Sequence, residues 1–383
     1  MISYVIPTHN RPGELQRTLE AIGSLPRHSA EVIIVDNASS VPPSAPMSLS
    51  NGLPVNLILR GTNEGAAARN HGVLASDPGS DWIVMLDDDS NPVDAEFIGA
   101  LADQPGDVAA VAAEIMLSGG AGAESARSAR ESGGLPEVFI GCGVAIRRDA
   151  FIDAGGYDSS FNYYAEEYDL AAKLLLAGQR VVLDRRFRVM HHKVSAGRDM
   201  NVILRRLVRN NGWVMQRYAP PHQRRLEIRR IVKRYGSIAS KEHALVGYAA
   251  GFAELLSTLR TQHRREMPQH VFDRFTGLAE ARSSLQEAWL EQRFHTACVV
   301  HEGKNAEVIV RALEELGVHV LTGEGMHEAE VQVIGTLSPG PLLDSWERCV
   351  AFNTSGRLIS PWGGLTEERH TARSGLACER PRL

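Results

Sequence analysis

Cysteine is scarce in this sequence, with only four among 383 residues. Cys142, Cys298, Cys349 and Cys378 lie far apart and form no CxxC pair. This spacing argues against a disulfide framework, and we predict a reduced, cytoplasmic protein. Long apolar runs are also absent, since no stretch approaches the ~18 consecutive apolar residues of a transmembrane helix. Residues 1–7 lack the basic start and long apolar stretch of a signal peptide, and they predict a strand.

Aromatic residues are few, at 6% of the chain, while hydrophobic residues make up 43% and charged residues 23%. The mean hydropathy is −0.18. These values are typical of a soluble globular protein and exclude a wholly disordered, collagen-like or membrane-spanning chain. At about 100–200 residues per domain, the length predicts two domains or slightly more.

Basic residues are concentrated in one block of the chain. Between Arg185 and Tyr235 there are fifteen Lys or Arg and only two acids, giving +13, whereas the whole chain carries −5. Such a block is typical of a contact with phosphates, an anionic lipid surface or an acidic partner, and a solvated helical face is the alternative. Because few aromatics are interleaved with these charges, we expect no nucleic-acid binding.

Strand and helix patterns alternate through the first half of the chain and predict an α/β fold with a mainly parallel, doubly wound sheet. Short apolar or β-branched runs predict buried strands, and amphipathic segments between them predict helices. The predicted strands are Ser3–Pro7, Glu31–Asp36, Val55–Leu59, Asp81–Leu86, Val138–Arg147 and Gln179–Leu183, and the helices include Pro12–Leu25, Gly65–Ala75 and Tyr164–Ala177. Polar residues follow several of these strands, at the sheet edge where ligands bind in such folds.

Three adjacent carboxylates, Asp87, Asp88 and Asp89, follow one of these buried strands. A cluster of this kind repels itself unless a cation or donor groups neutralise it, and its hard oxygen ligands suit Mg²⁺ or Mn²⁺. An acidic surface turn is the alternative. Asp36 also ends a strand, where its carboxylate could bind a base or ribose or cap the following turn. Arg69, at a predicted helix start, could contact a phosphate or lie on the surface.

A second acidic cluster, Glu166, Glu167 and Asp169, lies at the start of a predicted helix. Its carboxylates could interact with the helix dipole, or one could deprotonate an attacking hydroxyl. His191 and His192 follow a strand and could bind a divalent metal or be structural. Gly141-Cys142-Gly143 resembles a nucleophile turn, but no histidine partner is indicated for Cys142, so we assign it no catalytic role.

Taken together, these motifs resemble those of the inverting glycosyltransferases of family 2, which have the GT-A nucleotide-sugar-binding fold. Order and spacing agree over about residues 1–215. The segments that carry the resemblance are Val5–Arg11, Ile33–Ser39, Asn63–Asn70, Leu86–Asp89, Gly155–Asp158, Glu166–Leu170 and His192–Ser195.

The resemblance implies a set of residues that contact the sugar nucleotide. In this view Pro7, Thr8, Asn10 and Arg11 lie beside the nucleotide, and Asp36 contacts a uracil or thymine ring. The base or pyrophosphate would be supported by Asn63 and Arg69. Within the DXD element of the family, Asp87 and Asp88 would face the donor, with Asp88 near the ribose.

The resemblance also implies the catalytic and metal residues. Glu167 would be the catalytic base, with Glu166 and Asp169 as alternates, because the family usually has Glu-Asp-x-Asp where this chain has Glu-Glu-Tyr-Asp. Asp89, with Asp87, would bind Mg²⁺ or Mn²⁺. His192 would complete the metal ligands, with His191 as the second choice.

The domain organisation expected on this basis has four parts. Residues 1–215 would form the GT-A glycosyltransferase domain and residues 216–292 a helical, basic region for an acceptor or an interface. A small Rossmann-like α/β domain would follow over residues 293–365, and residues 366–383 would form a flexible tail. We also expect a mobile loop over Ser118–Gly134.

The expected activity is a single in-line transfer of a sugar from a UDP- or dTDP-sugar to a hydroxyl or amine of a small-molecule, glycan or lipid-linked acceptor. The lack of transmembrane helices argues against a processive polysaccharide synthase. One alternative is a nucleotidyltransferase or sugar-nucleotide pyrophosphorylase, although a Gly-rich phosphate loop after the first strand is missing. Another is a catalytically inactive nucleotide-sugar-binding module. The basic block leaves a peripheral membrane contact open, and a homo-oligomer is one candidate assembly.

Overall fold

The computed structural model describes residues 1–118, 129–193, 199–352 and 357–366. It divides into two compact units, of which the first comprises Met1–Ser128 with Glu137–Phe272 and the second Ala129–Pro136 with Asp273–Leu383. The strands are β1 (Ile2–Thr8), β2 (Ala30–Asp36), β3 (Val55–Leu59), β4 (Trp82–Leu86), β5 (Ser90–Pro92), β6 (Val108–Leu117), β7 (Arg130–Glu131, in the second unit), β8 (Gly143–Arg147), β9 (Arg180–His191), β10 (Thr296–Val300), β11 (His319–Leu321), β12 (Val331–Ile334) and β13 (Arg357–Ile359).

Helices connect and cover these strands. They are α1 (Pro12–Ser24), α2 (Ala68–Ala75), α3 (Glu96–Ala102), α4 (Arg148–Asp153), α5 (Glu166–Leu176), α6 (Met200–Tyr218), α7 (Pro221–Lys241), α8 (Leu245–Thr258), α9 (Gln269–Thr276), α10 (Leu278–Glu291), α11 (Ala306–Glu315), α12 (Pro339–Ala351) and α13 (Gly363–Thr366). Among the residues that the structure describes, no helix combines the length and the apolar character needed to cross a membrane.

The central sheet of the first unit has the strand order β3-β2-β1-β4-β8-β6-β9-β5. Strands β1 to β4 pair in parallel, with Thr8 opposite Asp36 and Val5 opposite Met85. Strand β8 is antiparallel to both β4 and β6. Because β1, β2 and β4 run in the same direction, the residues after their carboxyl ends meet at one edge of the sheet.

The core of the first unit forms where these strands are buried on both faces. Tyr4, Ile34, Val84, Phe97 and Phe187 are fully buried in one apolar cluster. Burying each such side chain contributes roughly 1.5–3 kcal/mol. The core therefore fixes the strands whose ends carry the polar residues.

Helices α6, α7 and α8 form a helical part of the first unit with a small core of their own. Leu204, Val208, Tyr235, Ala239 and Ala244 are buried there. The second unit has a four-stranded parallel sheet in the order β11-β10-β12-β13, and α10 and α11 contribute to its core.

The predicted α/β fold class, with a large sheet whose first four strands pair in parallel, a helical middle segment and a small C-terminal α/β unit, is confirmed. Most predicted elements agree with the structure to within a few residues, but strand 138–147 begins only at Gly143 and the sequence analysis did not predict β6. The four-part domain boundaries stay a prediction. Residues 119–128 of the expected mobile loop, residues 367–383 of the expected tail and Ser195 lie outside the described residues.

Candidate functional site

Polar side chains from three neighbouring strands meet at the carboxyl edge of the central sheet. Thr8 ends β1, and its hydroxyl donates a hydrogen bond to Asp88 Oδ2 at 2.9 Å. Asp88 belongs to the loop after β4, and Thr18 on α1 donates to its backbone carbonyl at 2.8 Å. The parallel register thus brings residues that are 80 positions apart into one buried hydrogen bond.

A cavity of about 330 Å³ opens at this edge. Its volume lies at the lower end of the range found for small-molecule sites, about 300–1,000 Å³. We call it the donor-edge cavity, and it is lined by Pro7, Thr8, His9, Arg11, Asn37, Asn63, Arg69, Asp87, Asp88 and Tyr163. Seven of these ten were predicted from the sequence as nucleotide-sugar contacts, whereas His9, Asn37 and Tyr163 were not.

The guanidinium group of Arg11 bridges two of the carboxylates. Its Nη1 lies 2.8 Å from Asp88 Oδ1 and its Nη2 lies 2.6 Å from Asp89 Oδ2. Burial raises the pKa of Asp88 to about 7, although Arg11 and the Thr8 hydroxyl act in the opposite direction. Burial would also raise the pKa of Asp89, but hydrogen bonds from His191 and Arg11 outweigh it and lower that pKa to about 2. The two adjacent carboxylates therefore differ in proton affinity.

A second arginine holds the third carboxylate. Arg69 is buried at the start of α2, and its Nη2 donates to Asp87 Oδ1 and, at 3.4 Å, to the backbone carbonyl of Gly141. Burial would lower the pKa of Arg69, but the charge on Asp87 outweighs this effect, and the pKa is raised. Arg69 is therefore a fixed positive charge in the wall of the donor-edge cavity.

The oxygen ligands available at this edge suit a hard divalent cation. Asp87, Asp88 and Asp89 present carboxylate oxygens beside a cavity, and such oxygens are the ligands that Mg²⁺ and Mn²⁺ prefer. The guanidinium groups of Arg11 and Arg69 form ion pairs with this cluster in the structure. Because Arg11 is partly exposed, with 36% of its side chain accessible, it could move aside when a cation takes over that role.

Glu166 and Glu167 begin α5. The pKa of each is raised, chiefly by burial, and for Glu166 also by the charge on Glu167. Glu167 Oε1 accepts a hydrogen bond from the backbone amide of Gly141 at 3.3 Å. Glu166 Oε2 is buried and has no hydrogen-bond partner among the described residues. The raised pKa values are what a proton-accepting carboxylate near neutral pH requires.

Asp169, the third acid of this helix, has a different environment. It is fully buried, and its carboxylate is held by Arg217 at 2.9 Å, Tyr218 at 2.8 Å and Lys173 at 2.8 Å. Asp169 does not line the donor-edge cavity. Through Arg217 and Tyr218, Asp169 therefore links α5 to α6.

The two adjacent histidines lie in different surroundings. His191 is buried, with Nε2 3.3 Å from Asp89 Oδ1 and Nδ1 3.8 Å from Cys142 Sγ. His192 is exposed, and its backbone amide donates to the Asp89 carbonyl at 2.8 Å. The structure thus places the second-choice histidine beside the carboxylate cluster. It also gives Cys142 a histidine neighbour that the sequence did not indicate, since the two are 49 positions apart.

Asn10 and Asp36 organise the loops beside the cavity but do not line it. Asn10 Oδ1 accepts hydrogen bonds from the Ser40 amide and hydroxyl at 2.8 and 2.9 Å. Asp36 is buried, and its Oδ1 accepts from the Ser39 amide at 3.2 Å. Asp36 therefore caps a turn in the structure, one of the two roles that the sequence left open.

Asn37 lines the cavity, and the sequence placed it among the polar residues at strand ends without assigning it a contact. Its Nδ2 donates to the carbonyl of Gly65 at 3.0 Å, and its Oδ1 accepts from the amide of Glu64 at 2.8 Å. His9 Nδ1 contacts the Asn37 carbonyl at 2.9 Å. Its place directly after Asp36, at the end of a buried strand, is the sequence signal for this position.

Tyr163 lies in a segment with unusual backbone conformations. Asn162, Tyr164 and Ala165 all have positive φ, between 63° and 73°. Asn210, buried on α6, donates through Nδ2 to the carbonyls of Phe161, Tyr163 and Tyr164 at 2.7–3.0 Å. Residues other than glycine keep such conformations only where the surrounding structure enforces them, and strain of this kind is common at binding sites.

The sequence model of the family described as Glycosyl transferase family 2 matches residues 3–153. An uncharacterized glycosyltransferase from Haemophilus influenzae is 29% identical over an alignment of 203 residues, and the match covers 46% of this chain and 62% of that protein. The chain therefore spans about three fifths of this curated relative.

Solved structures also resemble this chain, at low sequence identity. A crystal structure of GalNAc-T7 with UDP, GalNAc and Mn²⁺ is 18% identical with a TM-score of 0.46, covering 69% of this chain and 58% of that one. The mannosyltransferase PcManGT from Pyrobaculum calidifontis, in complex with GDP-Man and Mn²⁺, is 15% identical with a TM-score of 0.42. That match covers 82% of this chain and 86% of the other.

Proposed function

We propose that this chain is a family 2 glycosyltransferase, a metal-dependent, inverting enzyme that transfers a sugar from a UDP- or dTDP-sugar to a hydroxyl or amine. The observation that carries this proposal is the donor-edge cavity, where buried Arg69 and the carboxylates after β4 share one wall. A fixed cation beside a cluster of metal-type oxygen ligands is what binding of a nucleoside diphosphate requires.

Asp89 and Asp87 would hold a divalent cation in this enzyme. His191, at 3.3 Å from Asp89, supports this assignment more directly than the exposed His192 does. When bound, Mg²⁺ or Mn²⁺ would stabilise the negative charge that develops on the departing diphosphate. Arg69 adds a second positive charge, which the protein supplies itself.

Glu167 is the proposed base. It would take the proton from the acceptor hydroxyl or amine while the acceptor oxygen or nitrogen bonds to the anomeric carbon. The bond from that carbon to the phosphate oxygen breaks in the same displacement, so the nucleoside diphosphate leaves and the configuration inverts. The raised pKa of Glu167, caused chiefly by burial, supports this role, and its hydrogen bond to Gly141 orients the carboxylate. Glu166 is the alternate base, and the contacts of Asp169 favour a structural role.

The nucleoside would lie toward Thr8, Arg11 and Asn63, which line the donor-edge cavity. Asp36 would contact the base only by rearranging, because it caps a turn at the end of β2. A comparison of sugar nucleotides with different bases therefore tests the proposed preference for uracil or thymine most directly.

The acceptor is proposed to approach the basic helical region. Several arginines of this block form ion pairs, including Arg186 with Asp103, Arg209 with Glu254 and Arg217 with Asp158. On α7, however, Arg225, Arg229 and Lys233 are exposed at four-residue spacing, which places them on one face of the helix. This face would favour an anionic or lipid-linked acceptor at a membrane surface.

The testing experiment measures the melting temperature of the full chain with UDP-, dTDP- and GDP-sugars, each with Mn²⁺, with Mg²⁺ and with EDTA. We expect a UDP- or dTDP-sugar to raise the melting temperature only when metal is present, because a ligand that binds the folded state stabilises it. Asp89→Ala should abolish the shift and the metal-dependent turnover. The control Asp107→Asn changes an exposed acid paired with Arg180 and should keep both. Full turnover by Asp89→Ala would refute the metal assignment.

A further inference from the structure

Cys142, His191 and Asp87 bring three different metal-binding groups together beside the donor-edge cavity. One ligand atom from each lies within 4.8 Å of the other two. We propose that these residues form a binding site for a thiophilic divalent cation such as Zn²⁺, which shares Asp87 with the carboxylate site proposed for Mg²⁺ or Mn²⁺ but adds the thiol of Cys142. Bound at this site, Zn²⁺ would inhibit the enzyme.

The spacing of the thiol and the imidazole suits a shared ion. With Zn–S near 2.3 Å and Zn–N near 2.0 Å, two ligands of a tetrahedral Zn²⁺ lie about 3.5 Å apart. Cys142 Sγ and His191 Nδ1 are 3.8 Å apart. A shift of a few tenths of an ångström would bring both atoms onto one cation.

The other ring nitrogen of His191 is placed as in protein metal sites. Histidine ligands commonly donate their second N–H to a carboxylate, which fixes the tautomer and orients the ring. His191 Nε2 lies 3.3 Å from Asp89 Oδ1. With Asp89 accepting the Nε2 proton, the lone pair of Nδ1 points toward Cys142.

The ligand set favours zinc over the ions proposed for catalysis. Thiolate and imidazole ligands select Zn²⁺ and similar ions, whereas Mg²⁺ and Mn²⁺ favour oxygen ligands. Cys142 and His191 are both buried, with 1% and 8% of their surfaces exposed, so the thiol can bind an ion away from bulk water. Asp87 lines the donor-edge cavity, and this gives the ion a path to the site.

Inhibition follows from the ligands that the two sites share, and this step rests on the proposed glycosyltransferase function. Asp87 is ion-paired with Arg69 in the structure. A zinc ion bound to Asp87 would compete with that ion pair and would engage His191 beside Asp89. It would therefore disturb both the arginine and the carboxylate that the proposed reaction uses on the diphosphate.

Binding can be tested without any activity measurement, using Co²⁺ as a spectroscopic substitute for Zn²⁺ on the reduced full-length protein. We expect a near-ultraviolet thiolate-to-cobalt charge-transfer band that Zn²⁺ removes. Cys142→Ser should abolish the band and weaken Zn²⁺ binding at least about tenfold, and Cys298→Ser and Cys349→Ser, matched changes of buried cysteines elsewhere, should keep it. Asp89→Asn should keep the band but weaken Zn²⁺ binding about 10- to 100-fold, as expected for a residue that orients a ligand.

Absence of the band in the wild-type protein, or its persistence in Cys142→Ser, would overturn the site. If circular dichroism shows that Cys142→Ser does not fold, His191→Gln provides the second variant, and an unchanged Zn²⁺ affinity of that variant would also overturn the site.

Inhibition is then tested with donor, acceptor and Mn²⁺, and each rate is expressed relative to the same variant without zinc. Cys142→Ser should lose zinc sensitivity. Sugar transfer with Mn²⁺ that zinc does not affect would refute the inhibitory role and leave the proposed function intact, whereas zinc binding without any sugar transfer would refute the proposed function alone.

Discussion

Arg69 and Glu167 contact the backbone of the same residue. The carbonyl oxygen of Gly141 accepts from Arg69 Nη2 at 3.4 Å, and the amide of Gly141 donates to Glu167 Oε1 at 3.3 Å. A Cβ at position 141 would lie 3.3 Å from Arg69 Cζ, which is tighter than ordinary contact. One glycine thus sets the spacing between the cation proposed to stabilise the leaving diphosphate and the carboxylate proposed to accept the proton.

The first prediction concerns Glu167 as the base. Glu167→Gln keeps the shape of the side chain but removes its proton-accepting charge, so kcat should fall about 10²- to 10⁴-fold. The affinity for the sugar donor, measured by calorimetry, should change much less, because the base acts on the acceptor proton only in the transition state. Glu166→Gln is the matched comparison. If that variant loses turnover while Glu167→Gln does not, Glu166 is the base.

The second prediction concerns Gly65, where the chain turns into the helix that carries Arg69. Gly65 has φ +64°, and a Cβ there would lie 2.2 Å from the carbonyl oxygen of Asn162. Gly65→Ala should therefore lower the free energy of unfolding by about 2 kcal/mol or more, through backbone strain and a displaced segment. Gly61→Ala, where a Cβ meets open space, is the control and should have little effect. Urea denaturation gives both values, and equal stability of the two variants would contradict this account.

The third prediction concerns Asn210, which holds the segment carrying Tyr163. Asn210→Ala removes the buried amide group that donates to the carbonyls of Phe161, Tyr163 and Tyr164, and it should lower the free energy of unfolding by about 1–3 kcal/mol. Because Tyr163 lines the donor-edge cavity, the KM for the donor should rise as well. Asn211→Ala removes a buried amide whose partner, the Leu207 carbonyl, lies on the same helix. Asn211→Ala should lose stability without a change in KM. A similar rise in KM in both variants would refute the proposal that Asn210 positions Tyr163.

The fourth prediction concerns acid stability. Burial would raise the pKa of Asp158, but hydrogen bonds from Ser160 and Arg217 outweigh it and lower the pKa below the ordinary value of 3.8. A depressed carboxylate pKa contributes stability that is complete above the unfolded-state pKa and is lost as the pH falls through the folded-state pKa. Asp158→Asn should therefore be less stable than wild type at neutral pH, and the difference should shrink below about pH 4. Urea midpoints across this range measure the effect, and a constant difference would contradict the assignment.

Local patterns in the sequence were sufficient to predict the strands that build the site. The run Glu31–Asp36 is rich in β-branched residues, and the structure has β2 over Ala30–Asp36. The segment Val108–Leu117 was missed because its alanines favour neither a strand nor a helix pattern clearly, and its pairing with β8 and β9 is decided by tertiary contacts.

The side chains at strand ends were predictable as a group, but their individual partners were not. The parallel register explains why Thr8 and Asp88 meet. By contrast, the choice of His191 over His192 depends on where β9 ends and on which face of the sheet its last residue, His191, occupies, and a shift of one residue reverses it. The contact between Cys142 and His191 joins the residue before β8 to the last residue of β9, and no short motif encodes such a pair.

The second unit is discontinuous along the chain, because residues 129–136 belong to it although the rest begins at Asp273. Arg130, in that early segment, forms ion pairs with Asp344 at 2.6 Å and Glu347 at 3.0 Å. During synthesis, the ribosome therefore makes one piece of this unit more than 200 residues before its ion-pair partners. These ion pairs can form only after residue 347 has emerged, and a protein truncated at residue 272 would retain Arg130 without either acid.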